Sequence, residues 1–120
     1  MYRLETSIRS SDWRGRRYRR FELEFPVQMK FQSTSGITEL EGVSRNVSLG
    51  GLLVRSALSI PQHTAVTFVL SVHSKQAVRP VHLAGQGEIV RVENCDMGGG
   101  YAIALRCNVP LTHLEEYLPV

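Results

Sequence analysis

The stretch that decides the fold is FELEFPVQMKF, residues 21–31. Large apolar residues occupy every second position over all eleven residues, and the positions between them hold Glu22, Glu24, Pro26, Gln28 and Lys30; the apolar members are Phe21, Leu23, Phe25, Val27, Met29 and Phe31. Successive side chains of a β-strand point to opposite faces, so this period of two predicts a strand with one buried face. Proline has no backbone N–H to give to a sheet, and Pro26 therefore predicts an edge position or a bulge.

The same alternation recurs along the rest of the chain, interrupted by turn sequences. Further strands are predicted at residues 37–47, 52–57, 65–73, 81–93 and 101–107, with turns at STSG (33–36) and SLGG (48–51). Gly85 and Gly87 predict a bend or bulge inside the strand that contains them.

The only predicted helix is LTHLEEYL near the C-terminus, where Thr112 and Glu115 have the spacing of a capping box. About six strands and this one helix predict an all-β fold. We expect a small six-stranded antiparallel β-barrel with a short C-terminal helix.

The charge of the chain is unevenly distributed. The 120 residues carry a net charge of +3, and residues 1–20 contain seven arginines against two acidic residues, a net +5. Residues 21–120 carry a net −2. Residues 1–20 also show almost no periodic apolar pattern. The sequence therefore predicts two parts, a flexible arginine-rich arm at 1–20 and a nearly neutral barrel at 21–120.

Several functional classes are not favoured by the sequence. No apolar run approaches the roughly 20 residues that span a bilayer, and no hydrophobic signal segment opens the chain, so we expect a cytoplasmic protein without a membrane span. The four histidines and two cysteines show no metal-ligand spacing, and no nucleophile elbow is present. We expect no enzyme activity, no metal and no cofactor.

The arm carries the first binding motif, RGRRYRR at residues 14–20. Arginine grips phosphate or carboxylate with two parallel hydrogen bonds and stacks on flat rings, which lysine does less well. Arg16 and Arg20 are four residues apart, so that an extended chain and a helix both place them on one side. Two guanidinium groups can therefore converge on one anion.

The second motif is NVSLGG, residues 46–51. Asn46 offers amide donors and an acceptor, and Ser48 offers a hydroxyl. Gly50 and Gly51 allow a tight turn and the close approach of a flat ligand. Taken alone, this segment is also typical of an ordinary hairpin turn.

In this order, the two motifs resemble the PilZ domain, a bacterial receptor module for cyclic di-GMP. Arg16, Arg17 and Arg20 match the family's arginine motif, and Asn46, Ser48 and Gly51 match its Asn-x-Ser-x-x-Gly motif. The segments GEIVRV and GGYAIALR are similar to later strands of the family, and the resemblance covers residues 14–110. It implies a PilZ-like barrel whose arm closes over cyclic di-GMP and signals to an unidentified downstream protein.

The resemblance implies ligand contacts from Arg16, Arg17, Arg20, Asn46, Ser48, Gly50 and Gly51. Arg14, Arg19 and Arg91 are secondary candidates. The roles of Trp13 and Arg106 stay open: Trp13 either packs the arm against the barrel, which is favoured, or stacks on a guanine, and Arg106 either faces solvent or flanks the site. The arginines suit this ligand because it is a dianion with two guanines, whose O6 and N7 acceptors an arginine reads as a pair. Gly15 stands where members that hold a second, stacked ligand have an arginine, which leaves one or two ligands per site open.

Two other functions are compatible with the arm. One is a nucleic-acid-binding barrel of the oligonucleotide-binding type that uses the arginines on phosphates. The nearly neutral body, without a basic groove or an aromatic platform, makes nucleic acid the weaker hypothesis. The other is a PilZ-like interaction module that binds no nucleotide, which the intact polar positions of both motifs disfavour.

Overall fold

Six strands and one short helix make up the described part of the chain. In the computed structural model, residues 18–73, 78–95 and 98–119 are described. The strands are β1 (Pro26–Ser33), β2 (Gly36–Ser48), β3 (Gly51–Ser56), β4 (Ala65–Val72), β5 (Val81–Asn94) and β6 (Tyr101–Cys107), followed by a 3₁₀ helix at Thr112–Tyr117. Among these residues, no helix has the length and apolar character needed to cross a membrane.

The strands form one closed antiparallel barrel in the order β1-β2-β3-β6-β5-β4. This confirms the predicted six-stranded antiparallel β-barrel with a short C-terminal helix. Closure leaves no strand with an unpaired edge. Pro26 accordingly does not mark an edge strand or a bulge; it is the first residue of β1, where a missing N–H is tolerated.

The barrel interior is filled by every second side chain of the strands. The alternation is regular in β1 and β4, whose inward residues are Val27 and Met29, and Val66, Phe68, Leu70 and Val72. Leu111 and Leu114 at the C-terminal helix belong to the same buried cluster. The tail therefore stabilises the barrel by adding apolar surface to its core.

The predicted strand at residues 21–31 begins later than its pattern indicates. Phe21 pairs with Val47 in an isolated bridge, with backbone N–H···O distances of 2.9 and 2.8 Å. The regular ladder with β2 starts only at Pro26, which lies opposite Val43. The prediction of a continuous strand from residue 21 was wrong.

A buried serine explains how residues 22–25 stay beside β2 without regular strand pairing. The Ser44 hydroxyl accepts a hydrogen bond from the Phe25 N–H (2.8 Å) and donates one to the Leu23 carbonyl (2.6 Å). Phe25 is buried, and Leu23 packs against the core. Burial of alternate side chains therefore continues upstream of β1 although strand pairing does not.

Two local predictions are also corrected. The irregularity in β5 lies between Ile89 and Arg91, not at the glycines. Gly85 is required by close packing instead, since a Cβ there would stand 2.5 Å from Cζ of Phe68. At the C-terminus, Leu111 occupies the N-cap position and no side chain caps the 3₁₀ helix, so the predicted capping box does not form.

The division into an arm and a barrel stays a prediction. Residues 1–17, which include Arg14, Arg16 and Arg17, lie outside the described residues. Tyr18, Arg19 and Arg20 are described and lead directly into the Phe21–Val47 bridge. The last residues of the predicted arm therefore lie next to the end of β2.

Candidate ligand-binding site

Two rows of side chains cross the outer face of the barrel from β2 to β5. The strand registers place Ser48, Gly51, Arg106 and Glu88 in one row, and Asn46, Leu53, Ala104 and Arg91 in the other. Neighbouring strands lie about 4.8 Å apart, so each row is about 14 Å long. Both motif residues of β2 therefore share one surface with residues of β6 and β5.

A cavity of about 420 Å³ lies over these rows. Its lining residues are Tyr18, Arg20, Asn46, Val47, Ser48, Gly50, Gly51, Leu52, Leu53, Val90, Arg91, Ala104, Leu105 and Arg106. The size falls within the range of small-molecule sites. Gly51 and Ala104 contribute almost no side chain in the middle of the rows, so a flat ligand can lie close to the backbone there.

Two bulges turn polar residues onto this outer face. The register of β2 shifts between Ser44 and Asn46, and that of β5 shifts between Ile89 and Arg91. Ser44 and Ile89 are fully buried. In a regular strand the residues two positions after these, Asn46 and Arg91, would also point inward. The extra residue of each bulge reverses the alternation. The bulges thus place Asn46 and Arg91 outside the barrel.

The β2–β3 turn is held in place by hydrogen bonds from three directions. The Ser48 hydroxyl accepts from the Gly50 N–H and donates to the Gly51 carbonyl, both at 3.2 Å. The Leu49 carbonyl accepts from the Leu111 N–H at 2.8 Å, and the Gly50 carbonyl accepts from the Cys107 N–H at 2.9 Å. Ser48 therefore shapes the turn, a role that the sequence motif alone does not indicate.

Both glycines of the turn make close contacts with other parts of the chain. Neither has a φ in the left-handed region, so the tight turn does not itself demand glycine. A Cβ on Gly51 would overlap the Leu105 carbonyl oxygen of β6. A Cβ on Gly50 would stand 2.8 Å from Cδ2 of Tyr18. Gly51 allows β6 to lie close to the turn, and Gly50 allows the Tyr18 ring to do so.

The structure brings most of the described candidate residues together. Arg20, Asn46, Ser48, Gly50, Gly51 and Arg91 all line the cavity. Arg19 does not line it; its guanidinium carbon lies 4.9 Å from the centre of the Phe21 ring, a cation–π distance. Arg14, Arg16 and Arg17 lie outside the described residues.

Sequence analysis missed or left open several residues of this cavity. Tyr18 and Ala104 were not candidates, and Arg106 was left open between facing solvent and flanking the site, although all three line the cavity. The strand register carries the signal that would have identified Ala104 and Arg106, since it places them beside Leu53 and Gly51. That register depends on a pairing between distant segments and cannot be read from one motif.

The β5–β6 side of the cavity carries two arginine–carboxylate pairs. Arg106 Nη2 lies 2.8 Å from Glu88 Oε1, and Arg91 Nε lies 3.6 Å from Glu93 Oε2. The other Glu88 oxygen, Oε2, lies 3.3 Å from Nδ1 of His63. The formal charges of these arginines and carboxylates cancel, so this side of the cavity is close to neutral.

A second cavity on the described surface has no such charged groups. It measures about 400 Å³ and lies between β5 and the C-terminal segment, lined by residues 82–86 and 108–113, none of which is a lysine, arginine or carboxylate. No group of three or more His, Cys, Asp or Glu side chains within the described ranges is arranged to hold a metal ion. The cavity over β2–β3–β6–β5 is therefore the candidate site.

Comparison with protein families gives a match to the PilZ domain over residues 14–118. The chain belongs to the PilZ domain family. The match spans both motifs, all six strands and the C-terminal helix. PilZ domains are ligand-binding receptor domains. A comparison with curated protein sequences gives no match.

Solved structures with the PilZ fold resemble this barrel at low sequence identity. The inhibitor of motility MotI/DgrA of Bacillus subtilis is 17% identical, with a TM-score of 0.70, over 88% of this chain and 49% of that protein. The PilZ domain of YcgR from Escherichia coli, solved with c-di-GMP, is 14% identical, with a TM-score of 0.59, over 87% of this chain and 86% of that one.

A third similar structure is the PilZ domain of CeSA from a cellulose-synthesizing bacterium. It is 20% identical, with a TM-score of 0.53, over 78% of this chain and 85% of that one. At these identities the likeness concerns the fold. The chain spans about half the length of MotI/DgrA.

Proposed function

We propose that this PilZ domain is a receptor for cyclic di-GMP, which closes its arginine arm over the ligand and signals to a protein partner. The observation that carries the proposal is that Arg20 lines the same cavity as Asn46 and Ser48. Family membership supports the ligand, as does the structure of the YcgR PilZ domain with c-di-GMP. We further propose that it acts in the cytoplasm, without a catalytic step or a cofactor.

The chemistry of the cavity suits a ligand with flat bases and a negative charge. Cyclic di-GMP carries two phosphates and two guanines. The small residues Gly51 and Ala104 leave room for a ring above the strands. Arg20 enters from the β2 side and offers a planar pair of donors to a phosphate or to guanine O6 and N7.

The arm supplies the positive charge that the barrel side lacks. In the proposed complex, Arg16 and Arg17 join Arg20 on the ligand together with Asn46, Ser48, Gly50 and Gly51. Arg91 contacts it from the opposite side, and Arg14 is a secondary contact, whereas Arg19 lies over the Phe21 ring outside the cavity. Ordering of the arm over the site is the change of shape that a partner would recognise.

The test compares two arginine variants by titration calorimetry with cyclic di-GMP at two salt concentrations. A charge-assisted hydrogen bond contributes roughly 1.5–3 kcal/mol, so we expect Arg20→Lys to lose about ten- to a hundredfold in affinity. Lysine keeps the charge and loses the fork. Arg3→Ala removes a charge outside the motif and serves as the control, with an affinity close to that of the wild type.

Titration of the wild type with single-stranded DNA completes the test. The proposal requires tight binding of cyclic di-GMP and weak binding of DNA. The contrary result is an equally small loss of cyclic di-GMP affinity in Arg20→Lys and Arg3→Ala, together with an affinity that falls steeply as salt rises. It would mean that the arm is only a charged tail that contacts phosphates.

A further inference from the structure

The position of Arg106 is fixed by a chain of contacts at the edge of the site. The residue lies opposite Gly51 on β3 and Glu88 on β5, on the outer face of the barrel. Its Nη2 donates to Glu88 Oε1 at 2.8 Å. The Glu88 side chain is 34% exposed and that of Arg106 is 67% exposed, so the carboxylate is the better shielded partner.

Glu88 is itself held from its other side by His63. The His63 ring lies 3.3 Å from the second carboxylate oxygen. The backbone N–H of His63 donates to the Ile89 carbonyl at 2.6 Å, and the backbone N–H of Ile89 donates to the Thr64 carbonyl at 2.9 Å. These backbone bonds fix the loop beside β5, so that Glu88 has one partner for each oxygen.

Arg106 and the arm approach the cavity from opposite sides. Arg20 precedes the Phe21–Val47 bridge and therefore lies beside β2. Phe21 pairs with β2 at the edge that β1 occupies, so Arg106 on β6 lies three strands further round the barrel, about 14 Å away at the usual strand spacing. A ligand that reaches both must have two separate groups for arginine to recognise. In cyclic di-GMP, the two guanines are such groups.

We propose that Arg106 reads the edge of one guanine of the ligand and that Glu88 positions it for this contact. The inference rests on the proposed function and names the residue that gives the site its base specificity. A guanidinium has five N–H donors, and the bond to Glu88 leaves others to donate to O6 and N7.

The carboxylate decides between a base and a phosphate as the target. Glu88 cancels the charge of Arg106, which weakens the attraction of that arginine for a phosphate and leaves its directed donors in place. Adenine offers an N6 amino donor where guanine has the O6 acceptor, so a fixed pair of donors disfavours it. Arg106 held by Glu88 thus favours guanine over adenine.

The test measures affinity for cyclic di-GMP and cyclic di-AMP by calorimetry. The quantity compared is the dissociation constant for cyclic di-AMP divided by that for cyclic di-GMP, which measures the preference for guanine. Both ligands are dianions on the same ring, so changes in net charge cancel in the ratio. We expect Arg106→Lys, which keeps the charge, to reduce the preference for cyclic di-GMP about tenfold or more. Arg79 is exposed and lies two residues before Val81, the first residue of β5. Arg79→Lys is therefore the matched control and should leave the ratio unchanged.

Glu88→Gln tests the positioning role separately. Removing a negative charge near the site raises the affinity for both dianions at low salt, but loss of orientation should lower the ratio about threefold or more. A ratio that stays at the wild-type value in Glu88→Gln would refute positioning by Glu88. The unfolding midpoint of each variant establishes that the barrel is intact.

Other outcomes separate this inference from the proposed function. If the wild type binds neither cyclic dinucleotide, the proposed function fails. If it binds both equally, or if Arg106→Lys weakens both by the same factor, the receptor function stands and the base-reading role of Arg106 is wrong.

Discussion

The ring of Tyr18 lies against Gly50, close enough that a Cβ on residue 50 would stand 2.8 Å from Cδ2 of the ring. Gly50 belongs to the β2–β3 turn, and its carbonyl is hydrogen-bonded to the Cys107 N–H of β6. The turn is therefore rigid on the barrel side and in contact with the end of the arm on the other. This contact joins the two binding motifs directly.

The first prediction concerns this contact. In Gly50→Ala, the Tyr18 side chain must shift, so we expect cyclic di-GMP affinity to fall severalfold. The free energy of unfolding should change by less than about 0.5 kcal/mol, because a flexible side chain yields rather than the barrel. In a Tyr18→Ala background, Gly50→Ala should have no further effect on affinity. Calorimetry on the wild type, the two single variants and the double variant, which form a double-mutant cycle, tests the coupling. Additive losses of affinity would contradict it.

Gly51→Ala should behave differently from its neighbour. Its Cβ would meet the Leu105 carbonyl of β6, which is backbone and cannot rotate away. We expect a loss of roughly 1–3 kcal/mol in the free energy of unfolding, typical of overpacking. Urea denaturation of Gly51→Ala and Gly50→Ala, side by side, measures the contrast. Equal stability of the two variants would show that β3 and β6 can separate at this point without cost.

Removing the buried hydroxyl of Ser44 should destabilise the connection between the arm and the barrel. Ser44→Ala leaves the Phe25 N–H and the Leu23 carbonyl without their partner. Unsatisfied buried groups cost about 1–3 kcal/mol, which urea denaturation would detect. Ser71→Ala is the control, since its hydroxyl bonds to His82 at the surface and its loss should change stability by about 0.5 kcal/mol or less. Similar losses in both variants would contradict a special role for Ser44.

Cys107 predicts a dependence of stability on alkaline pH. Burial raises the pKa of its thiol from 9.0 to about 11, because the thiolate is poorly solvated there. Below pH 9 the thiol is protonated in both states and does not contribute to pH dependence. Between pH 9 and about 11 the unfolded chain ionises first, so stability falls. Unfolding of the wild type and Cys107→Ser should therefore diverge above pH 9; parallel curves up to pH 11 would show that the thiol is not shielded.

The proposed closing of the arm predicts a change in hydrogen exchange. Residues 14–20 should gain protection when cyclic di-GMP saturates the protein, because their backbone becomes ordered over the ligand. Arg20→Lys at the same ligand concentration should show less protection, in proportion to its lower occupancy. Unchanged exchange of residues 14–20 in the saturated wild type would refute the closing arm while leaving binding intact.

The sequence by itself determined the strands and the class of fold. Alternation of apolar and polar residues is a local property, so it locates β1 to β6 within a few residues and predicts a barrel. The two motifs are also local, and they indicated the family. The same local pattern misplaced the start of β1, because burial of Phe21 and Phe25 continues the alternation where hydrogen bonding to Ser44 replaces the ladder.

Only the tertiary structure decided which face each site residue occupies. A bulge before Asn46 and another before Arg91 reverse the alternation, and a bulge depends on how two strands pair rather than on either sequence alone. Arg106 meets Glu88 across 18 residues of sequence because β6 pairs with β5 in one register. Side-chain periodicity is set within a strand, whereas register is set by hydrogen bonds between strands. Register decides which side chains of β2, β3, β6 and β5 lie next to one another in the site.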